Sequence, residues 1–270
     1  MKYAVIAGSG RFPVVAIEAA RKQGDQAIVI AIKEEASPEI DAFADRCYWI
    51  SLGDLSKLID ICKNEAITQI MMAGQVKHAK IFSSIRPDWR LVKLLAALGD
   101  KNTDSLIGAV AKVLADEGIQ LVDSTLLLKP LLADLGPIAK RKPDSDELKN
   151  IEYGRKIAHA LASLDLGQSV AIADRACVAL EAMEGTDAML RRAASLAQGA
   201  KLTLVKASSR RRHLLFDVPV IGLQTVDVMI ETNTTALAVD AGRTLLLDRD
   251  ELIARATQAK IAIIGMEALG

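Results

Sequence analysis

The chain has 270 residues, which is enough for two domains of ordinary size. Its 34 basic and 34 acidic side chains give a net charge of zero, so no general electrostatic attraction to nucleic acid is expected. The 51% hydrophobic and 25% charged content excludes disorder as the main state, and the 3% aromatic content argues against base-stacking platforms. Three widely spaced cysteines suit a reducing cytoplasm better than a disulfide framework or a zinc site.

Apolar strand patterns alternate with helical patterns along the first half. The N-terminal run at 3–7 enters a glycine loop directly, so we expect a strand there and not a signal peptide. Further strands are predicted at 27–32, 47–50, 69–73 and 120–122, and helices at 13–23, from 54 onwards, at 89–98 and at 104–117. Continuous apolar strands separated by helices predict an α/β fold with a parallel sheet covered on both faces, here a domain over 1–133.

A stretch of chain breakers and charges separates the two halves. Prolines, glycine and a basic run fall within 134–145, which we interpret as a connector. Residues 146–270 form a second α/β domain. Its strands are predicted at 169–173, 177–182, 202–206, 237–240, 244–246 and 261–265, and its helices at 145–164, 187–198, 225–232 and 248–259.

Two glycine loops follow strands in the first domain. Gly8 and Gly10 stand between the first strand and a helix, where backbone N–H groups can bind a phosphate or form only a tight turn. A dinucleotide fingerprint requires a third glycine where Pro13 stands, although Glu34 or Glu35 could meet a ribose. Gly74 ends the fourth strand and precedes Lys77 and His78, which could contact a ligand or lie in a solvated loop.

The second domain carries the more specific candidates. Thr186 and Asp187 begin a helix after Gly185, where they can cap the helix or hold a phosphate or metal-bound oxygen. Lys206 ends an apolar strand, and the loop after it contains Arg210, Arg211 and Arg212 and then Asp217. Cations can neutralise charge that develops during phosphoryl transfer, and a carboxylate can hold Mg²⁺ or accept a proton from water. The three arginines could equally form a solvated loop.

Three further residues have competing interpretations. Asp240 lies at a strand end and is either a metal ligand or part of a hairpin-like turn over 240–244. Asp248 is predicted to cap a helix, with Glu251 completing a capping box. His159 lies within a helix, and we expect a structural or surface role for it.

Several segments occur in an order that resembles the LpxI-type UDP-2,3-diacylglucosamine pyrophosphatases. They are Gly-Ser-Gly-Arg-Phe-Pro at 8–13, Ala-Gly-Gln-Val at 73–76, Glu-Gly-Thr-Asp-Ala-Met at 184–189, Lys206, Asp-Val-Pro-Val-Ile-Gly at 217–222, and Ala241-Gly242 with Thr244-Leu245. The similarity extends over essentially the whole chain. The two most specific segments are those that contain Thr186 and Asp217.

The resemblance implies a Rossmann-like N-terminal domain and a C-terminal domain specific to the family. It implies Mg²⁺-dependent hydrolysis of UDP-2,3-diacylglucosamine to UMP and 2,3-diacylglucosamine 1-phosphate, called lipid X, in lipid A biosynthesis. Asp217 matches the essential aspartate. The residues assigned to catalysis are Asp217 and Lys206, those assigned to the substrate are Gly8, Gly10, Gly74, Thr186 and Arg212, and those assigned to the metal are Asp217, Asp187 and Asp240.

The chain differs from the family pattern just before Asp217. The family carries a Gln-Asp pair and then an arginine there, whereas this chain has Arg212, His213 and Leu215. Asp240 stands where a glutamate is expected. The basic run at 210–212 can supply some of the charge, but it cannot replace the carboxylate.

Two other functions remain open from the residues. The first glycine loop allows a nicotinamide-dependent oxidoreductase, and the departures before Asp217 allow a nucleotide-sugar-binding protein without catalysis. For the enzyme, we expect a lipid-linked UDP-sugar as substrate, a cytoplasmic location, transient contact with the inner face of the inner membrane, no nucleic-acid partner, and a homodimer as one option. The longest stretch without a charge, 66–76, is too short for a membrane span.

Overall fold

The computed structural model describes residues 2–76, 87–98, 103–208 and 218–269. Contacts between Cα atoms divide the chain into two compact units, with the boundary between Leu128 and Lys129. Each unit has its own sheet. Residues 134–145, interpreted above as a connector, lie in the second unit.

The first unit is built on a parallel sheet of five strands. These are β1 (Lys2–Ala7), β2 (Gln26–Ile32), β3 (Arg46–Ile50), β4 (Gln69–Ala73) and β5 (Gln120–Leu121), in the order β3-β2-β1-β4-β5. The helices are α1 (Phe12–Lys22), α2 (Leu55–Asn64), α3 (Trp89–Ala97) and α4 (Thr103–Asp116), with a 3-10 helix at Pro38–Phe43. The predicted Rossmann-like α/β fold is confirmed.

The strand order determines where the first unit can bind a ligand. The chain winds outwards from β1 through β2 to β3 and then returns to the other side of β1 with β4. In open α/β sheets, ligands bind beyond the carboxyl ends of the strands at such a switch point. Both glycine loops follow the strands that flank it.

The apolar spacing explains the core of the first unit. In α2, residues 55, 58, 59 and 62 recur at three- and four-residue intervals and are buried. They pack with Ile28, Ile30 and Ile70 from β2 and β4 in one hydrophobic cluster. Strands β1, β2 and β4 are apolar over nearly their whole length because they occupy the middle of a sheet.

The second unit contains a mixed sheet of six strands. These are β6 (Gly136–Pro137), β7 (Ser169–Ala173), β8 (Ala176–Leu180), β9 (Leu202–Lys206), β11 (Thr234–Asp240) and β13 (Ala262–Met266), in the order β6-β13-β11-β9-β7-β8. Strands β9, β11 and β13 are parallel, whereas β7 and β6 run antiparallel to their neighbours. The helices are α5 (Ser145–Ser163), α6 (Thr186–Ala197), α7 (Leu223–Glu231) and α8 (Arg249–Gln258).

The turn after β11 differs from the prediction. Residues 240–244 do form a turn, with Gly242 at a φ of +68°, but they do not close a hairpin. The next strand, β12 (Leu245–Leu246), pairs in parallel with β10 (Val220–Ile221) in a separate two-stranded sheet. Leu245 N donates to Pro219 O at 2.8 Å, so the chain leaves the main sheet after the turn.

The segment at 134–145 is packed against the second sheet. Strand β6 pairs with β13, and Arg141 forms two hydrogen bonds of 2.8 and 2.7 Å with the carboxylate of Glu147 in α5. Burial would raise the pKa of Glu147, but the bonds from Arg141 and Thr235 outweigh that effect and lower it. These contacts make the segment an integral part of the second unit.

The predicted capping box at Asp248 is wrong, because Asp248 has a φ of +48° and its side chain does not cap α8. A cap residue normally has extended dihedrals that aim its oxygen at the first turn. The box is found instead at α5, where the Asp144 carboxylate accepts from Glu147 N at 2.9 Å and Glu147 accepts from Asp144 N at 2.9 Å.

Candidate functional site

The two glycine loops of the first unit bind each other. Gly8 N donates to Ala73 O at 2.9 Å, Ser9 N donates to Gln75 O at 2.9 Å, and Gln75 N donates to Ser9 O at 3.1 Å. The Ser9 hydroxyl also donates to Gln75 O, at 2.8 Å. Two N–H groups of the first loop are therefore already satisfied by protein carbonyls and are not available to a phosphate.

Close backbone approach explains two of the three candidate glycines. A Cβ on Gly8 would lie 2.6 Å from Gln75 O, and a Cβ on Gly74 would lie 2.5 Å from Ser9 O. Gly10 differs, because it has a φ of +92° and nothing lies within 4 Å of its Cβ position. Gly10 thus borders open space, whereas Gly8 and Gly74 are required for packing between the loops. Lys77 and His78 lie outside the described residues.

Lys206 is the best-defined candidate of the second unit. It is the last residue of β9, beside β11, and only 9% of it is exposed. Its Nζ donates to the Thr186 hydroxyl at 3.0 Å. The structure therefore brings two predicted site residues together, a lysine at a strand end and the first residue of α6.

The Thr186 hydroxyl is fully used by protein groups. It donates to Glu181 Oε1 at 2.9 Å and lies 3.0 Å from the hydroxyl of Ser169. A hydroxyl has one hydrogen and two lone pairs, so these contacts and the bond from Lys206 saturate it. The Thr186 hydroxyl thus contacts a candidate catalytic residue and has no capacity left for a direct hydrogen bond with substrate.

A small crevice opens at the carboxyl ends of β9, β11 and β13. Its lining includes the charged or titratable side chains of Arg155, His159, Lys206 and Asp240. The space between its walls is small, about 160 Å³ even when the open solvent at its mouth is included. The crevice is too narrow to admit a water molecule, so it presents a cluster of charged side chains and is not a cavity for a phosphate or a nucleotide sugar.

Asp240 is buried in the wall of this crevice. It accepts from Ser208 N at 2.7 Å and from the Ser208 hydroxyl at 2.9 Å, and His159 Nε2 lies 3.2 Å from its Oδ1. Leu269 N also approaches His159 Nε2, at 3.5 Å. An imidazole nitrogen carries either a hydrogen or a lone pair, so His159 Nε2 cannot both donate to Asp240 and accept from Leu269. We assign a hydrogen to Nε2, which donates it in the shorter contact, to the Asp240 carboxylate. Asp240 is thus paired with Ser208 and His159, and the structural or surface role expected of His159 stays a prediction.

The pKa of Asp240 depends on two opposed effects. Burial would raise it, but the hydrogen bonds from His159 and Ser208 favour the charged form and bring the pKa below its ordinary value of 3.8. A carboxylate with a lowered folded-state pKa stabilises the fold above its unfolded-state pKa. That stabilisation is lost as the pH falls through the lowered value.

Asp240→Asn is therefore expected to destabilise the second unit at neutral pH by about 1–3 kcal/mol, because charge-assisted hydrogen bonds are lost. The difference between variant and wild type should shrink as the pH falls from about 5 towards about 2. Calorimetric unfolding across this range measures it. Asp116→Asn, at an exposed aspartate, is the control, and a difference that does not change with pH would contradict the assignment.

The described residues do not make up a metal site. Asp187 Oδ1 accepts from the Thr225 hydroxyl at 2.9 Å, which links α6 to α7. Asp240 is occupied by Ser208 and His159. Over the described ranges, no group of three His, Cys, Asp or Glu side chains is placed to hold a metal ion. Asp217 and Arg212, together with the departures His213 and Leu215, lie outside the described residues.

Sequence reasoning missed three residues at this end of the sheet, namely Glu181, Ser208 and Arg155. Glu181 is polar at the end of an apolar run, and Ser208 follows the lysine by two residues. Arg155 is one helical turn before His159, and its Nε is buried with no hydrogen-bond partner among the described groups. Glu181 lies inside the strand predicted at 177–182, whereas β8 ends at Leu180, so its place just beyond the strand end could not be read from the sequence.

Both halves of the chain match one protein family. Residues 2–131 match the LpxI N-terminal domain, and residues 134–264 match the LpxI C-terminal domain. A Rossmann-like unit followed by a mixed-sheet unit is thus a known domain pair. The chain belongs to the LpxI family.

A curated relative supports the family assignment over its full length. The UDP-2,3-diacylglucosamine pyrophosphatase LpxI of Caulobacter vibrioides is 27% identical over 278 aligned positions, which cover 98% of this chain and 98% of the relative. The resemblance inferred from the sequence motifs is confirmed.

The similarity to two solved structures is remote. A UDP-glucose-4-epimerase from Stenotrophomonas maltophila is 16% identical, with a TM-score of 0.28 over 44% of this chain and 35% of the epimerase. A phosphoribosylglycinamide synthetase from Anaerococcus prevotii is 13% identical, with a TM-score of 0.28 over 63% of this chain and 31% of the synthetase. The chain spans about a third of each, and neither likeness bears on its chemistry.

Proposed function

We propose that this protein hydrolyses the pyrophosphate of UDP-2,3-diacylglucosamine to UMP and 2,3-diacylglucosamine 1-phosphate in lipid A biosynthesis. The observation that carries the proposal is the match of both halves to the two LpxI domains, together with a full-length relative named for this activity. The charged crevice of the second unit supports it, because that crevice presents a buried ammonium at a sheet edge.

The reaction adds one water across the pyrophosphate bridge. The water oxygen forms a new bond to phosphorus, the bond from that phosphorus to the bridging oxygen breaks, and negative charge builds on the phosphoryl oxygens. We assign stabilisation of this charge to Lys206, which is held in a partly desolvated position where its charge acts strongly. Asp217 is the proposed base or metal ligand.

A requirement for Mg²⁺ is part of the proposal and depends on Asp217. The carboxylates of the described residues do not form a magnesium site by themselves, since Asp187 and Asp240 are engaged by other side chains. When bound, Mg²⁺ would neutralise phosphate charge. We assign no individual step to the ion.

The substrate class has consequences for where the protein acts. A UDP-sugar with two acyl chains resides in a membrane, so we propose a cytoplasmic protein that contacts the inner face of the inner membrane transiently. Within the ranges described above, none of the helices combines the length and the apolar character needed to cross a bilayer.

The direct test is identification of the products by mass spectrometry. Purified wild type is incubated with UDP-2,3-diacylglucosamine and Mg²⁺, beside wild type with EDTA and beside Asp217→Ala. We expect equimolar UMP and diacylglucosamine 1-phosphate from wild type with Mg²⁺, and neither product above the protein-free blank in the other two samples. No UMP from folded wild-type protein would refute the proposal. Activity that survives EDTA would refute only the metal requirement.

A further inference from the structure

We propose that Glu181 is a positioning residue that fixes the ammonium group of Lys206 through the hydroxyl of Thr186. The inference rests on the proposed function, since Lys206 must act on the pyrophosphate for its position to matter. Three buried side chains carry it, with Lys206 and Glu181 each 9% exposed and Thr186 8% exposed.

The direction of each hydrogen bond is fixed by chemistry. A lysine ammonium can only donate, so the Thr186 oxygen accepts from Lys206 Nζ. An ionised carboxylate can only accept, so the Thr186 hydrogen points to Glu181 Oε1. The remaining lone pair of Thr186 accepts from Ser169, whose side chain is fully buried. These three hydrogen bonds allow the Thr186 hydroxyl only one orientation, and its oxygen holds the Lys206 ammonium at one point.

Glu181 is itself held from several sides. Its Oε2 accepts from Gln168 N at 3.1 Å, and its own N–H donates to Ser169 O at 2.9 Å. A Cβ on Gly167 would lie 2.2 Å from Glu181 O. The backbone at Gly167 therefore approaches the backbone at Glu181 so closely that only glycine fits there. The carboxylate is therefore placed before any ligand binds, and it can orient the threonine without rearrangement.

The chain of bonds gives Lys206 a position and a compensating charge. A free lysine side chain samples many rotamers, and an anchoring hydrogen bond removes that freedom before the ligand binds. Glu181 supplies a negative charge one hydroxyl away from the buried ammonium, and burial of an uncompensated charge is costly. Thr186 uses one of the three donors of the ammonium, which leaves two for a phosphate.

Glu181 is a positioning residue and not a catalytic one, because both of its oxygens are engaged by Thr186 and by the backbone of Gln168. It has the same sign of charge as the substrate, so direct contact with a phosphate would be repulsive. Its effect on the reaction must therefore pass through Lys206.

The test measures kcat and KM for UMP release by wild type, Glu181→Gln, Lys206→Met and the double variant. Glutamine cannot satisfy both donors, since its amide nitrogen would face either Thr186 or Gln168 N. Glu181→Gln should lower kcat by about 10- to 30-fold and change KM by less than about 3-fold. The matched control is Glu184→Gln, three residues away in an exposed ion pair with Arg192, and its kcat should stay within about 2-fold of wild type.

The double variant separates positioning from general stability. If Glu181 acts through Lys206, then Glu181→Gln should have no further effect on kcat in the Lys206→Met background, within about 2-fold. If the loss of kcat in the double variant equals the product of the losses in the two single variants, the inference is overturned. A kcat of Glu181→Gln equal to that of wild type would also overturn it. No UMP from wild type would instead overturn the proposed function and, with it, this inference.

A second pair of variants keeps the test informative if Glu181→Gln does not fold. Thr186→Val keeps the shape of the side chain and removes the hydroxyl, whereas Thr186→Ser keeps the hydroxyl. We expect the kcat of Thr186→Ser to exceed that of Thr186→Val by at least about 5-fold. Equal values for the two variants would contradict the proposed path through the hydroxyl.

Discussion

Lys206→Met is expected to lower kcat for UMP release by about 100- to 1,000-fold, the usual effect of removing one preorganised electrostatic group. Methionine approximates the length of the lysine stem, so the packing around the end of β9 is largely kept while the charge is lost. The ammonium is buried and bonded to Thr186, so water cannot readily take its place. KM should change less than kcat, because the charge on the phosphoryl group increases towards the transition state.

The fold of this variant should remain intact. Glu181 keeps two donors, the Thr186 hydroxyl and Gln168 N, so no bare carboxylate is left in the core. Lys201→Met is the matched control, because Lys201 is exposed and precedes β9; its kcat should equal that of wild type. UMP release is measured by chromatography and folding by far-UV circular dichroism. A kcat of Lys206→Met within about 3-fold of wild type would remove Lys206 from the proposed mechanism.

The strands and helices could be predicted closely because their signals are local. The apolar runs of β4, β7 and β9 have the predicted bounds, and most helix ends differ by one or two residues. Sheet order and strand direction are set by contacts between distant segments, and they could not be read from the runs themselves. Hence the antiparallel edges of the second sheet and the separate pairing of β10 with β12 were not anticipated.

The predicted helix cap at Asp248 was also wrong because the prediction used local sequence alone. Aspartate before a helix with a glutamate three residues later is a good capping signal, but it presumes extended dihedrals at the aspartate. Asp248 lies in the left-handed region instead, with φ and ψ both at +48°. A local pattern cannot foresee a conformation that the tertiary structure imposes.

The site could be predicted only in part. Lys206 and Asp240 stand out as charged residues at the ends of apolar strands, and the parallel arrangement of β9 and β11 brings those ends to one edge. The partners of these residues could not be found in this way. Glu181 and Ser208 lie 25 and 32 residues from Lys206 and Asp240 respectively, and only the sheet brings each pair of positions together.

Gly74→Ala is expected to destabilise the first unit by about 2–5 kcal/mol. Gly74 has a φ of +89°, which costs an alanine about 1–2 kcal/mol. The added methyl would also lie 2.5 Å from Ser9 O and 2.9 Å from Pro13 Cγ. Ser9 O is a backbone atom that accepts a hydrogen bond from Gln75 N, so the loops must separate to make room for the methyl. Such overpacking costs about 1–3 kcal/mol more.

Gly10→Ala separates the two contributions to this loss. Gly10 has a similar φ of +92°, but nothing lies within 4 Å of its Cβ position, so only the backbone cost of about 1–2 kcal/mol applies. Both tryptophans, Trp49 and Trp89, belong to the first unit, so their fluorescence during urea unfolding reports on that unit. Gly74→Ala should have the lower urea midpoint of the two variants. Equal midpoints would mean that the loops do not approach as closely as the structure shows, and that Gly74 is needed for its dihedral angles alone.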